Sequence, residues 1–163
     1  MARYVARVHT PMSVGDAFAL VSDMRTFEAW DPGIRSVTQV VGDGPGRGAE
    51  YDVRFAALPI DLRVAPIPIG LTLHYETERY EVPASRTEPH TVLLVARGVL
   101  FSSVDLITVS SAPGGCLVVY DADLRLNGPL RFGDLSLRVA FSWIGGRAEA
   151  GLRAALDGTS VPA

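Results

Sequence analysis

Chemistry in this chain has to come from carboxylates, phenols and histidines. All fifteen basic residues are arginine. Schiff-base catalysis by a side-chain amine, lysine-anchored pyridoxal phosphate and a phosphate-loop lysine are therefore excluded, and no GxxxxGK[ST] run occurs. The single cysteine, Cys116, excludes an intramolecular disulfide and any multi-cysteine zinc or iron–sulfur site. It begins a strand after Gly115, with no matched histidine nearby in sequence, and reads as an inert thiol. The three histidines are scattered, with His9 ending the first strand, His74 on a wet face and His90 in a turn, so no metal site is expected. No G-x-S-x-G elbow supports a Ser-His-Asp triad. Asp105 and the polar-tipped aromatics Tyr51, Tyr75 and Tyr120 stand out. Phenols can orient a ligand oxygen while lining an apolar cavity, although ordinary core tyrosines would show the same pattern.

These residues need elements to position them. The chain has 163 residues, a formal net charge of -3 and 48% hydrophobic residues, which is enough for one core. Residues 3–9 alternate, with Tyr4, Ala6 and Val8 on one face, and predict a strand ended by Pro11. Ser13-Val-Gly-Asp16 resembles a capping box with Asp in place of Glu, and Val14, Phe18 and Val21 follow at helical spacing. A second short helix is expected over Asp23 to Ala29, stopped by Pro32-Gly33. Strands are expected over Ile34 to Val41 and around Tyr51, Val53 and Phe55, separated by the glycine-rich run from Gly42 to Gly48. Leu71, Leu73 and Tyr75 alternate with Thr72, His74 and Glu76. Thr91 to Phe101 is apolar on both faces, and Asp105 to Ser110 forms a further strand.

The clearest alternation runs from 116 to 127, with Val118, Tyr120, Ala122, Leu124 and Leu126 on one face. Leu137, Phe141, Ile144, Ala148, Leu152 and Leu156 then recur at helical spacing, with Gly145-Gly146 inside the run and Gly158 and Pro162 closing it. An antiparallel sheet with one dry face must be covered, and only the terminal helix is long enough to cover it. The stretch 56–70 is apolar and carries Pro59, Pro66 and Pro68, which forbid a central strand. It reads as a lid over a cavity mouth, or as a longer hairpin packed on the body or on a second subunit.

Mild acidity argues against a nucleic-acid surface. No apolar stretch reaches the roughly 20 residues that span a bilayer, and the N-terminus lacks the apolar run of a signal peptide, so a cytoplasmic protein is expected. Lysine-free, Arg/Ala/Gly/Val-rich usage points to a GC-rich bacterial genome.

The order of strand, two short helices, about six strands and long helix resembles the helix-grip fold of the SRPBCC superfamily, which includes START-like proteins. The motifs resemble its bacterial polyketide cyclase/dehydrase-like branch. They are the Phe27-Glu-Ala-Trp30-Asp31-Pro32-Gly33 run, Ser103-Val-Asp105-Leu-Ile107-Thr-Val109, Val119-Tyr120 through Gly128-Pro-Leu, and Ala148-Glu-Ala-Gly151-Leu152. The resemblance spans essentially the whole chain as one domain, 1–163. It departs at 56–70, where the family usually has a tighter hairpin.

The resemblance implies an α+β helix-grip fold. A curved antiparallel sheet of about seven strands would wrap around a long C-terminal helix, with an apolar small molecule held between them and no cofactor. By that analogy Asp105, Ile107 and Val109 share the cavity face. The lining would comprise Tyr51, Val53, Phe55, Leu73, Tyr75, Asp105, Ile107, Tyr120 and Leu124 on the sheet, with Phe132, Leu137 and Phe141 on or before the helix. A carboxylate in an apolar pocket has a raised pKa and suits acid/base work, so the enzyme reading is a cyclase or dehydratase using Asp105 with Tyr75 or Tyr120. The bland alternative pairs Asp105 with an arginine such as Arg97 or with backbone. A carrier of polyketides, aromatic metabolites or lipids, and a protein-interaction module using the Pro-rich stretch, are the other readings. Trp30, Asp31 and Pro32 read as an anchor and turn. Trp143 is a candidate for a sheet-edge or subunit contact, which leaves a homodimer open.

Overall fold

Alternation becomes strand along most of the chain. A computed structural model of the protein describes residues 2–56, 72–85, 87–99, 101–127 and 146–162. Strand β1 covers Ala2–Thr10, with Ala6 and Val8 buried and Arg3 and Arg7 exposed. Helix α1 covers Val14–Ser22. The Asp16 amide donates to Ser13 Oγ at 3.1 Å, and the Ser13 hydroxyl donates in turn to Asp16 Oδ2 at 2.6 Å. The shorter Asp thus meets the cap hydroxyl, where a Glu would reach back to the cap amide.

The second helix differs from expectation. A 3-10 turn, Met24–Thr26, precedes a single α-turn, α2, at Phe27–Trp30. The Asp23 carboxylate accepts the Arg25 amide at 3.0 Å, and the Thr26 hydroxyl bonds the Leu20 and Asp23 carbonyls at 2.6 and 2.9 Å. These side chains satisfy local backbone groups outside an α-helical ladder, so a continuous helix gives way.

The remaining strands are β2 Ile34–Val41, β3 Glu50–Phe55, β4 Thr72–Glu81, β5 His90–Arg97, β6 Phe101–Ala112 and β7 Gly115–Leu126. The described part of the terminal helix, α3, is 146–155, and a two-residue strand, β8, follows at Thr159–Ser160. All neighbours pair antiparallel, in the order β2-β3-β4-β5-β6-β7-β1-β8. Among the described residues the sheet therefore has eight strands where about seven were expected. The extra one is too short to show a period.

The apolar run expected to continue to Phe101 ends at Arg97. Gly98 and the residue after it lie outside both strands, and Phe101 already belongs to β6, which is longer than the expected 105–110. At Gly115 a Cβ would lie 2.0 Å from the Thr10 carbonyl oxygen, so only glycine lets β7 start against β1 there.

The buried faces of β1 and β3–β7 form one core with Phe18, Val21, Met24, Phe27 and Trp30 from the short helices, Ala148 and Leu152 from α3, and Leu156 in the turn that follows it. The last three continue the expected helical stripe. Leu137, Phe141, Ile144 and Gly145 lie outside the described residues. The helix ends with Asp157 in the left-handed region at φ 47° and the Gly158 amide on the Arg153 carbonyl at 2.9 Å.

Candidate functional site

The sheet register decides which expected residues meet. Tyr51 pairs with Tyr75, Tyr75 with Ala96, and Ala96 with Ser103. Asp105 pairs with Ala122, and Ile107 with Tyr120. All these side chains share the helix-covered face, because alternation repeats every two residues. Tyr51, Val53, Leu73, Tyr75, Asp105, Ile107 and Tyr120 are buried, and Phe55 and Leu124 pack against them partly buried. Phe132, Leu137, Phe141 and Trp143 lie outside the described residues, as does all of 56–70 except Ala56.

Asp105 is the chemical centre. It is 4% exposed, and its Oδ1 accepts the Ser103 hydroxyl at 3.1 Å. The Tyr75 hydroxyl interacts with both Ser103 and Asp105. Burial raises the Asp105 pKa to about 7; the Ser103 and Tyr75 hydroxyls pull it down, and the charges of Asp31 and Asp121 push it up. Burial, reinforced by the Asp105 charge, holds the Tyr75 and Tyr120 phenols well above their ordinary range. The pairing with Arg97 does not occur, since Arg97 is exposed and bonds Glu78. At neutral pH the site thus offers one carboxyl poised to take or give a proton, between phenols that stay protonated and can donate.

Three neighbours escaped the sequence reading. Ser103, two residues before Asp105 and on the same face, is the carboxyl's hydrogen-bond donor. Asp31 is buried and raised by desolvation; its Oδ1 accepts the Gly33 amide at 2.7 Å, which is the expected turn role, yet its charge also reaches Asp105, Tyr75 and Tyr120. The Trp30 ring packs tilted at 50° against Phe27, with centroids 4.4 Å apart, and meets Tyr120 edge-on at 6.2 Å and 87°. Its indole N–H is buried without an acceptor among the described residues, and the Tyr51 hydroxyl likewise has no partner there. An unpaired buried donor costs about 1–3 kcal/mol.

The helix side is held by close approach. A Cβ on Gly151 would lie 1.7 Å from the Trp30 carbonyl oxygen, so the glycine of the Ala148–Leu152 motif seats α3 directly on the end of α2. Tyr4 donates to Glu149 Oε2 at 2.5 Å and Ser160 to Glu149 Oε1 at 2.6 Å, tying α3 to β1 and β8.

Other expected residues sit apart from Asp105. His74 is on the outer face, with Nδ1 2.8 Å from Asp52 Oδ1 and Nε2 3.0 Å from Glu50 Oε2. His9 Nε2 lies 2.9 Å from the Pro113 carbonyl. His90, expected in a turn, instead opens β5 half-buried, its ring edge-on to Phe18 at 5.1 Å. It borders a groove of about 490 Å³ lined by Ser13, Pro83, Ser85, Glu88 and Ser111, at the β4–β5 end of the sheet. None of the expected ligand residues lines that groove. Cys116 is buried with its thiol pKa raised by desolvation, as expected of an inert thiol. Among the described residues no cluster of three or more His, Cys, Asp or Glu could hold a metal, and no helix is long and apolar enough to cross a membrane.

Sheet order, short helices after β1 and a helix gripped at the end together match the expected architecture, and the family described as polyketide cyclase/dehydrase and lipid transport matches residues 1–156. The chain belongs to this family. Polyketide cyclases, dehydrases and lipid transporters all handle hydrophobic small molecules, so the family fold is a hydrophobic ligand-binding fold. A START superfamily protein from Mycobacterium smegmatis is similar in structure, with a TM-score of 0.69 and 12% identity over 96% of this chain and 98% of that one. The KanY protein (ms6282) gives 0.66 and 16% over 96% and 98%. The protein TTHA0849 from Thermus thermophilus gives 0.62 and 13% over 94% and 98%. At these identities the fold alone is what the structures share. No curated protein matches the sequence.

Proposed function

We propose that the protein binds a hydrophobic small molecule, a polyketide, an aromatic metabolite or a lipid, against the helix-covered face of its sheet. Val53, Phe55, Leu73, Ile107 and Leu124 supply apolar wall. Tyr51, Tyr75 and Tyr120 orient oxygen atoms of the ligand.

The observation that carries a second, more specific reading is Asp105. A carrier has no need of a buried carboxyl that meets no cation among the described residues and titrates near neutrality. A cofactor-free cyclase or dehydratase does. In such chemistry ionised Asp105 removes a proton from carbon beside a ligand carbonyl, while Tyr75 or Tyr120 donates a hydrogen bond to that carbonyl oxygen. The enolate carbon attacks a second carbonyl, a carbon–carbon bond forms, and the new alkoxide takes a proton from Asp105. In the dehydration that follows, Asp105 takes a further proton from carbon and passes it to the departing hydroxyl, which leaves as water. Ser103 holds the carboxyl in place throughout.

Native mass spectrometry of the protein purified from its own host tests the binding claim, and a retained small-molecule mass is the expected result. Conversion of that compound by wild type and by Asp105→Asn tests the chemistry. Turnover should fall at least a hundredfold in the variant, and unchanged turnover would leave only the binding reading.

A further inference from the structure

We infer that the Trp30 indole N–H is a specificity-determining donor that reads a neutral carbonyl or ether oxygen on the bound molecule. The inference rests on the ligand-binding reading above and adds a residue to it.

Indole offers one donor and no acceptor, and buried donors in native folds are almost always paired. Trp30 is 4% exposed, and Nε1 meets no acceptor among the described residues. The ring is not free to swing toward water. Phe27 lies against it at 4.4 Å, Tyr120 meets it edge-on at 6.2 Å, and its main chain is pinned where the carbonyl abuts Gly151. Packing alone would be served by an apolar ring of similar size. A partner from outside the chain accounts for the N–H.

The surroundings limit what that partner can be. Tyr120, in contact with the indole, faces Asp105, so the acceptor belongs to the same molecule that reaches the carboxyl. Asp31 and Asp105 both direct negative charge into this region, which disfavours a carboxylate or phosphate and favours an uncharged oxygen.

The test uses two rigid tricyclic probes that differ by one carbonyl, 9-fluorenone and fluorene, titrated calorimetrically. Wild type should prefer fluorenone by about tenfold, the worth of one buried neutral hydrogen bond. In Trp30→Phe the preference should shrink to within about twofold. Because the smaller ring could upset packing, the decisive protein carries 3-benzothienylalanine, an isostere without the N–H, at position 30 in a Trp143→Phe background. Its fluorene affinity should match that of the background protein, and its fluorenone preference should vanish. A preference that survives the isostere, or a wild type that binds both probes equally, overturns the inference and leaves the binding reading intact. A protein that binds neither probe overturns both.

Discussion

Ser103 and Asp105, two residues apart on β6, share the helix-covered face, and the Ser103 hydroxyl donates to Asp105 Oδ1 at 3.1 Å. Across one intervening strand, at Ala96, the Tyr75 hydroxyl joins the same pair. Among the described residues this carboxyl is held by hydroxyls and not by a cation. Burial outweighs the pull of those hydroxyls and opposes its ionisation, and that opposition is measurable.

Stability should fall as pH rises through the Asp105 window. Its folded pKa is about 7 against an ordinary 3.8, so the folded state keeps the proton that the unfolded chain releases. Stability from this group is full below pH 3.8, declines between there and about 7, and is lost above. The limiting loss is about 4 kcal/mol. Asp105→Asn cannot ionise, so its urea midpoint should exceed that of wild type at about pH 8 and not at about pH 4.

Gly151→Ala should destabilise by about 1–3 kcal/mol, lowering the melting temperature by several degrees, because α3 would have to retreat from the Trp30 carbonyl. A scan of heat capacity checks it. Gly146→Ala, where nothing lies within 4 Å of the added carbon, is the control and should melt no lower than wild type.

His74 should titrate above its ordinary value. Its hydrogen bond to Asp52, then that to Glu50, favours the charged ring. A raised histidine pKa contributes stability that is complete below the unfolded value of 6.5 and vanishes as pH climbs through the folded one. The ring is half-exposed, so solvent screening keeps the effect under about 1 kcal/mol. Asp52→Asn should lower the midpoint seen in a proton NMR titration, and salt at about 1 M should lower it too.

Cys116 should resist Ellman's reagent in the folded protein and react at once in denaturant. Its side chain is fully buried beside the Ser13 carbonyl, and burial pushes the thiol pKa up.

Much of this fold is written in local pattern. The inward set Tyr4, Ala6 and Val8, the run from Val118 to Leu124, and the inward tyrosines at 51, 75 and 120 follow from alternation alone. What alternation cannot give is partnership. Tyr75 reaches Asp105 only because β4, β5 and β6 pair in a register fixed by turns, and nothing local to Asp105 announces that register. Ser103 was legible in principle, being two residues from Asp105 on the same strand. Asp31 was hidden behind its own turn role, since an Asp before Pro-Gly already has a local explanation. The split of the second helix hung on the Thr26 hydroxyl, and His90 looked like turn only because Pro89 precedes it. The Trp30 donor is visible only by its lack of a partner among the described residues, which no sequence displays.

The central claim is that Asp105 is a buried proton-transfer group in the ligand site. The most direct measurement is a carboxyl carbon-13 NMR titration of aspartate-labelled protein, with Asp105→Asn to assign the signal. A midpoint near 7, displaced when the compound that co-purifies with the protein is added, is the predicted result. A midpoint near 3.8, unmoved by that compound, would contradict it.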